Sequence, residues 1–209
     1  MESPNATSLT SRSVRQATFA NALLPVASRG GAIARGVLLL AGCNLLLALS
    51  GQLSFYLPFN PAVPVTAQTF AVLLIGALLG WRLAAGTVAA FLLEGIIGMP
   101  VFANGSFGAL VLVGPSGGYL FGFLLGAVVV GVLCERGWDR NLVSSIAAML
   151  IGDACIFAVG LLELARFVPI DKLLLFGLVP FLPGDAVKVV VAALLLPAGW
   201  RVLSWVNQR

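Results

Sequence analysis

Apolar side chains gather into six long stretches, at about 36–54, 68–79, 83–98, 118–134, 143–163 and 173–196, and polar or Pro/Gly-rich segments separate them. Stretches of this kind predict helices that cross a bilayer, for which about 20 apolar residues are needed in a perpendicular span. The second and third stretches are shorter. They predict helices that borrow Thr66, Ala67 and neighbouring loop-edge residues, or that sit where the bilayer thins. Pro180 and Pro183 interrupt the last stretch. The pattern therefore predicts an all-α integral membrane protein: a polar basic N-terminal tail over 1–35, a six-helix membrane domain over 36–200, and a short tail over 201–209.

Composition agrees with this class. Of the 209 residues 60% are hydrophobic and 10% charged, and the mean hydropathy is +1.05, whereas ordinary soluble domains carry roughly 25% charged residues. Charge then orients the helices. With both termini in the cytoplasm, Arg12, Arg15, Arg29, Arg35, Arg82, Arg136, Arg140, Arg201 and Arg209 all fall on the cytoplasmic side, and only Arg166 and Lys172 fall outside. That asymmetry is the expected one for an even number of spans, and it places the protein in a cytoplasmic membrane. The basic isoelectric point near 9.4 is thus a topology signal, and no basic groove or aromatic interleaving supports a nucleic-acid partner. Residues 1–35 are expected either as a disordered extension or as a segment lying on the inner leaflet through Val14, Phe19 and Leu23. Trp81, Trp138, Trp200 and Trp205 fall at the predicted cytoplasmic helix ends and read as an aromatic belt.

The two long outward connections, 55–67 and 99–117, contain no charged residue and are rich in apolar side chains, proline and glycine. Such side chains must fold back onto the helices to leave water, and long ordered loops of this kind usually act as lids. They predict a cap over an outward-facing pocket.

Charge inside the membrane is the costliest feature of the chain. A charged residue at the centre of a spanning helix costs roughly 2.5–3.5 kcal/mol, so it marks a candidate functional site. Asp185 and Lys188 open the last apolar helix three residues apart, on one face, where they can neutralise each other and offer an acceptor and a donor to a polar ligand. The competing reading is a purely structural ion pair, or an acid favoured by the helix dipole. Glu94 and Asp153 also lie in apolar stretches and read first as buried groups that orient helices. Gly118, Gly122 and Gly126 form a small-xxx-small register suited to close helix packing.

Several motifs then point one way. Pro64-Val-Thr-Ala-Gln68-Thr69, Gly98-Met-Pro-Val-Phe102-Ala-Asn104-Gly105, Gly114-Pro-Ser-Gly-Gly-Tyr119-Leu, Gly152-Asp153 and Pro183-Gly-Asp185-Ala-Val-Lys188 stand in an order and spacing that resembles the BioY family. These are the biotin-binding S components of energy-coupling factor (ECF) transporters. The resemblance spans about residues 36–197. It implies six helices, a biotin pocket near the extracellular face built from the outer ends of the last three helices, and a partner complex of a transmembrane coupling subunit with two ATPase subunits. Carried over residue by residue, it implies ligand contacts for Asp185, Lys188 and Asn104, with Gln68 and Tyr119 as further candidates. Asn104 before Gly105 is also a plain turn signal, Gln68 can simply bond backbone near Pro64, and Tyr119 fits an interfacial belt equally. S components of this type use small residues spaced four apart on the first helix for docking; here Asn44 and Ala48 hold the register without a clean alanine pattern.

Biotin offers two urea N–H donors, a carbonyl acceptor, an apolar sulfur ring and a carboxylate tail, and an acid, a base and amides can answer all of these. An enzyme is not expected. The chain has no His, which removes histidine-ligated zinc and Ser-His or Cys-His catalysis, and neither Lys stands in a phosphate-loop spacing. Cys43, Cys134 and Cys155 read as packing residues, with no metal or cofactor expected. Two alternatives stay open at this point: a self-sufficient carrier in which Glu94 or Asp153 binds the coupling proton, and an S component for another vitamin.

Overall fold

A computed structural model of the chain describes residues 18–206 except 27 and 59. The expectations for 1–17 and 207–209, including Arg12, Val14, Arg15 and Arg209, lie outside the described residues. Six helices of twelve or more residues carry the architecture: α1 (Arg29–Gln52), α2 (Gln68–Leu79), α3 (Trp81–Ile96), α4 (Gly117–Glu135), α5 (Leu142–Leu164) and α6 (Leu182–Val206). Of these α1, α4, α5 and α6 are long and apolar enough to cross a membrane, and α2 is apolar but shorter. Large apolar side chains such as Leu38, Val143 and Val187 stand exposed on the outside of the bundle, as lipid-facing surface requires.

The first helix starts seven residues before its apolar stretch. Ser28 has extended backbone, and its hydroxyl accepts from the Gly31 N–H at 3.1 Å, which satisfies one of the donors a helix start leaves open. Residues 29–35, expected as tail, are therefore the first turns of α1. Thr18 likewise caps a short helical segment, Phe19–Leu23, and Arg35 holds that segment by donating to Leu24 O and Asn21 Oδ1, each at 2.7 Å. At the other terminus α6 runs to Val206, so 201–206 continue the helix. Within the last stretch the chain makes a short helical segment, Leu173–Gly177, and α6 starts only at Leu182. Pro183 fits there because the first turn of a helix has no use for its missing N–H.

The glycine register of α4 is spent inside the bundle. A Cβ added at Gly118 would sit 2.6 Å from Val159 O, and one at Gly122 2.7 Å from Ile156 O, both on α5. Gly76 of α2 meets Ala127 O of α4 just as closely, at 2.7 Å. Helix α4 is thus the packed centre. Helix α1 lies at the edge, where Asn44 turns inward, 5% exposed, with Nδ2 3.5 Å from Thr87 O on α3; the side chain expected on a docking register instead faces the bundle. Helices α2 and α3 reverse through Gly80 alone, whose φ of 77° disfavours a side chain.

The first of the two uncharged connections adds strands to the all-α expectation. Two strands, β1 (Ser54–Leu57) and β2 (Asn60–Thr66), pair antiparallel as a hairpin; fixed proline φ at Pro64 suits extended backbone. Asn60 is fully buried and donates to Phe176 O at 2.6 Å, which ties the hairpin to the segment before α6. The second connection folds through helical turns at Ala103–Gly105 and Ala109–Leu112. Phe102 anchors it, buried edge-on against Phe91 at 5.4 Å.

At the opposite end of the bundle Trp200 is more than a belt residue. Its Nε1–H donates to Asp139 Oδ2 at 2.5 Å, Arg140 stacks 3.6 Å from its ring centroid, and Phe19 meets it edge-on at 5.3 Å. This cluster joins α6, the α4–α5 turn and the N-terminal segment. Burial pushes the Asp139 carboxyl above its ordinary value, and the Trp200 N–H and Arg140 charge pull it back down.

Candidate functional site

A cavity of about 360 Å³ opens between the hairpin, the second connection and the adjoining ends of α2, α4, α5 and α6. The size suits a small-molecule ligand, for which sites of roughly 300–1,000 Å³ are usual. The adjoining ends of the last three helices contribute, and the start of α2 contributes as well. Its walls are largely aromatic. Tyr119 of α4, Phe157 of α5 and Phe181 just before α6 are mutual neighbours with ring centroids 5.9–6.1 Å apart, and Phe102 and Phe123 extend the surface. Such faces accept an apolar ring and contribute beyond area burial when rings meet edge to face.

The polar side of the cavity is built on Lys188. Placed in the second turn of α6, its ammonium donates to Asp185 Oδ1 at 2.7 Å, to Thr66 O at 2.8 Å and to Thr69 Oγ1 at 2.9 Å. The Thr69 hydroxyl in turn donates to Asp185 Oδ1 at 3.1 Å. All three ammonium donors are therefore used. Asp185 is 3% exposed and Lys188 lines the cavity with Asp185 behind it. Hydrogen bonds around a buried ion pair are the condition under which it offsets its desolvation.

The expected site residues divide as follows. Lys188, Gln68 and Tyr119 line the cavity; Asp185 supports Lys188 and does not itself form the wall. Gln68 is 2% exposed; its Nε2 is buried against Gly51 of α1 and has no acceptor among the described residues. Tyr119 is 7% exposed and so is no belt residue; its hydroxyl donates to Gly177 O at 2.7 Å, which leaves its ring face for the cavity. Asn104 stands off the wall, which its neighbours Ala103 and Ser106 line. The reason is the turn: Asn104 is left-handed, φ 55°, ψ 30°, and its backbone N–H donates to Ser54 Oγ at 3.2 Å. Glu94 is half-buried in the last turn of α3. Asp153 is buried, within electrostatic reach of Asp185 and Lys188.

Thr66 and Thr69 were not singled out from the sequence. Both flank Gln68 in the sequence, but only tertiary packing brings that helix start to the Asp185–Lys188 pair. The aromatic wall left no signal in the sequence, because a cavity-facing Phe and a lipid-facing Phe look alike in an apolar stretch. Among the described residues no group of three or more His, Cys, Asp or Glu could hold a metal ion.

Comparison with known proteins gives a concordant result. Residues 16–205 match the model of the BioY family. A biotin transporter BioY of Thermotoga maritima is 44% identical over 140 residues, covering 66% of this chain and 81% of that protein. A biotin transporter BioY of Rhodobacter capsulatus is 37% identical over 168 residues, 72% of this chain and 87% of its own length. Among solved structures, the S-component for biotin from an ECF-type ABC transporter superposes with a TM-score of 0.74 at 27% identity, covering 82% of this chain and 94% of that one.

Proposed function

Since the chain belongs to the BioY family, we propose that it is the substrate-specific membrane subunit of an ECF-type transporter and that it binds biotin in the cavity over Lys188. The observation that carries the reading is the cavity itself, in which aromatic side chains and a hydrogen-bonded charge pair line one space. The sulfur ring and the methylenes of the tail suit the Tyr119, Phe157 and Phe181 faces. The urea and the carboxylate suit the polar side, where Lys188 can exchange its Thr66 or Thr69 bond for a ligand acceptor.

In this reading all six helices cross the cytoplasmic membrane of a prokaryotic cell with both termini inside. Arg82, Arg136, Arg140 and Arg201 fall at the bundle end opposite the cavity, which supports an outward-facing site under the positive-inside bias. The hairpin and the second connection form its cap. Biotin is the ligand and membrane lipid the surroundings. A coupling subunit and two ATPase subunits supply the energy, since this chain carries no phosphate-loop lysine.

Titration of the purified protein with biotin, thiamine and riboflavin is the direct test, with binding expected for biotin alone. Uptake of labelled biotin in cells is expected to require the ATPase subunits and to survive collapse of the proton gradient; the reverse pattern favours a self-sufficient carrier. Asn104 is tested separately. Asn104→Gly keeps the left-handed turn, which glycine adopts freely, and removes only the amide. A loss of roughly tenfold, about 1.4 kcal/mol, would support the ligand contact that the resemblance implies, and wild-type affinity in that variant would reduce Asn104 to the turn residue its place off the wall suggests.

A further inference from the structure

The last turn of α1 stands against two of the segments that line the cavity. Gly51 is buried there, and a Cβ on it would lie 2.7 Å from Gln68 Nε2 at the start of α2 and 3.2 Å from Val101 O in the second connection. Beside it the exposed Gln52 turns its amide to the same connection. Its Nε2 donates to Pro100 O and Phe102 O, each at 3.4 Å, and to Ala48 O of its own helix at 3.3 Å. Two residues on, Ser54 Oγ accepts from the Asn104 N–H at 3.2 Å.

These bonds fall on a stretch that little else holds. At its ends the connection is tied to α3, by the Met99 N–H on Glu94 O at 3.0 Å and the Gly108 N–H on Gly95 O at 2.7 Å. Between those ties, residues 100–107 hydrogen-bond to other elements only through Gln52 and Ser54 among the described residues; Val101, Phe102, Gly105 and Ser106 spend their N–H groups within the connection. The Phe102 ring is seated on Gly95 and Phe91. Phe102 and Ala103 are also cavity wall, so the backbone that joins them must keep its place. The bonds of an exposed amide can pass to water and back, which lets this tie open while the Phe102 anchor holds.

We propose that Gln52 is a positioning residue for the ligand: its amide clips the 100–107 stretch to α1, holds Phe102 and Ala103 in the wall, and so slows the escape of biotin. The proposal rests on the biotin reading above and deepens it. The role is specific to a donor. The groups that face Gln52 are carbonyl oxygens, and an amide brings two N–H donors to them. An ionised carboxylate of the same shape brings none, and it sets negative oxygen against carbonyl oxygen at the negative end of a helix. An ammonium on a stem of similar reach keeps the donors.

The test is the rate of biotin dissociation from the purified full-length protein, together with hydrogen exchange over residues 100–107 in the ligand-free state. Gln52→Leu and Gln52→Glu are each expected to release biotin about tenfold faster, with the association rate changed much less. Both are expected to exchange faster over 100–107, and to unfold thermally close to wild type because residue 52 is exposed. Gln52→Lys restores a donor and is expected to recover most of the slow release and of the protection. A merely structural role would lower the unfolding temperature and would not separate Glu from Lys. Wild-type release in the Leu and Glu variants, equal loss in the Lys variant, or unchanged exchange over 100–107 overturns the proposal alone. Should Gln52→Glu not fold, Gln52→Leu carries the same decision. If wild type binds no biotin the functional reading falls, and the exchange measurement then decides the clip by itself.

Discussion

Lys188→Met is expected to abolish biotin binding and to lower stability by about 3–5 kcal/mol. The variant keeps the aliphatic stem and removes the ammonium. Asp185, 3% exposed, is then left with the Thr69 hydroxyl as its donor, and Thr66 O and Thr69 Oγ1 lose theirs. The size of the loss comes from an uncompensated buried carboxylate rather than from the net worth of the pair. A second variant separates the two. In Asp185→Leu/Lys188→Met both charges are gone, and most of the stability is expected to return because apolar replacement of a buried pair is often close to neutral. Biotin binding is expected to stay lost, since the polar side of the cavity is gone. Asp185→Asn falls between: it retains a neutral partner for Lys188 and is expected to bind at least tenfold more weakly, about 1.4 kcal/mol. Thermal unfolding in detergent and biotin titration on the same samples read both quantities. Binding that survives in the double variant would falsify the assignment of Lys188 to the ligand site.

The charge pair was legible in the sequence because a carboxylate and an ammonium one turn apart at the start of an apolar helix are costly to keep in a membrane. Its surroundings were not. The pair closes on Thr69, 116 residues from Asp185, and on Thr66, 122 residues from Lys188, and tertiary packing alone brings them together. The helices were legible as apolar stretches, while their ends were set by polar caps that hydropathy ignores: Ser28 starts α1 well inside the polar segment. The hairpin was hidden for a related reason. Its strands are short, uncharged and Pro-rich, so they read as cap without a period, and Asn60 fixes them through a bond to a carbonyl 116 residues away. Trp200 shows the same limit from the other side: its composition matched an aromatic belt, and a buried Asp139 gave it a partner.

Gly160→Ala is expected to weaken biotin binding from a position that touches no ligand. Gly160 lies on α5 with the Tyr119 ring of α4 seated directly on it, so that a Cβ there would overlap the ring carbons. The ring also packs against Phe157 and Phe181, and its hydroxyl is fixed on Gly177 O at 2.7 Å. It cannot yield to a methyl group without either parting α4 from α5 or swinging into the cavity and breaking the bond to Gly177. Overpacking costs typically 1–3 kcal/mol and a buried carbonyl that loses its donor about 1–3 kcal/mol, so a loss of about 2–4 kcal/mol in stability is expected, together with at least tenfold weaker binding. Two comparisons make this specific to the ring. Tyr119→Phe removes only the hydroxyl and is expected to cost about 1 kcal/mol with binding little changed. Gly42→Ala, where an added Cβ meets nothing within 4 Å, is expected to be neutral or slightly stabilising, because alanine is the better helix former. Wild-type affinity in Gly160→Ala, with the helix pair intact, would mean that the position of the Tyr119 ring does not limit the ligand.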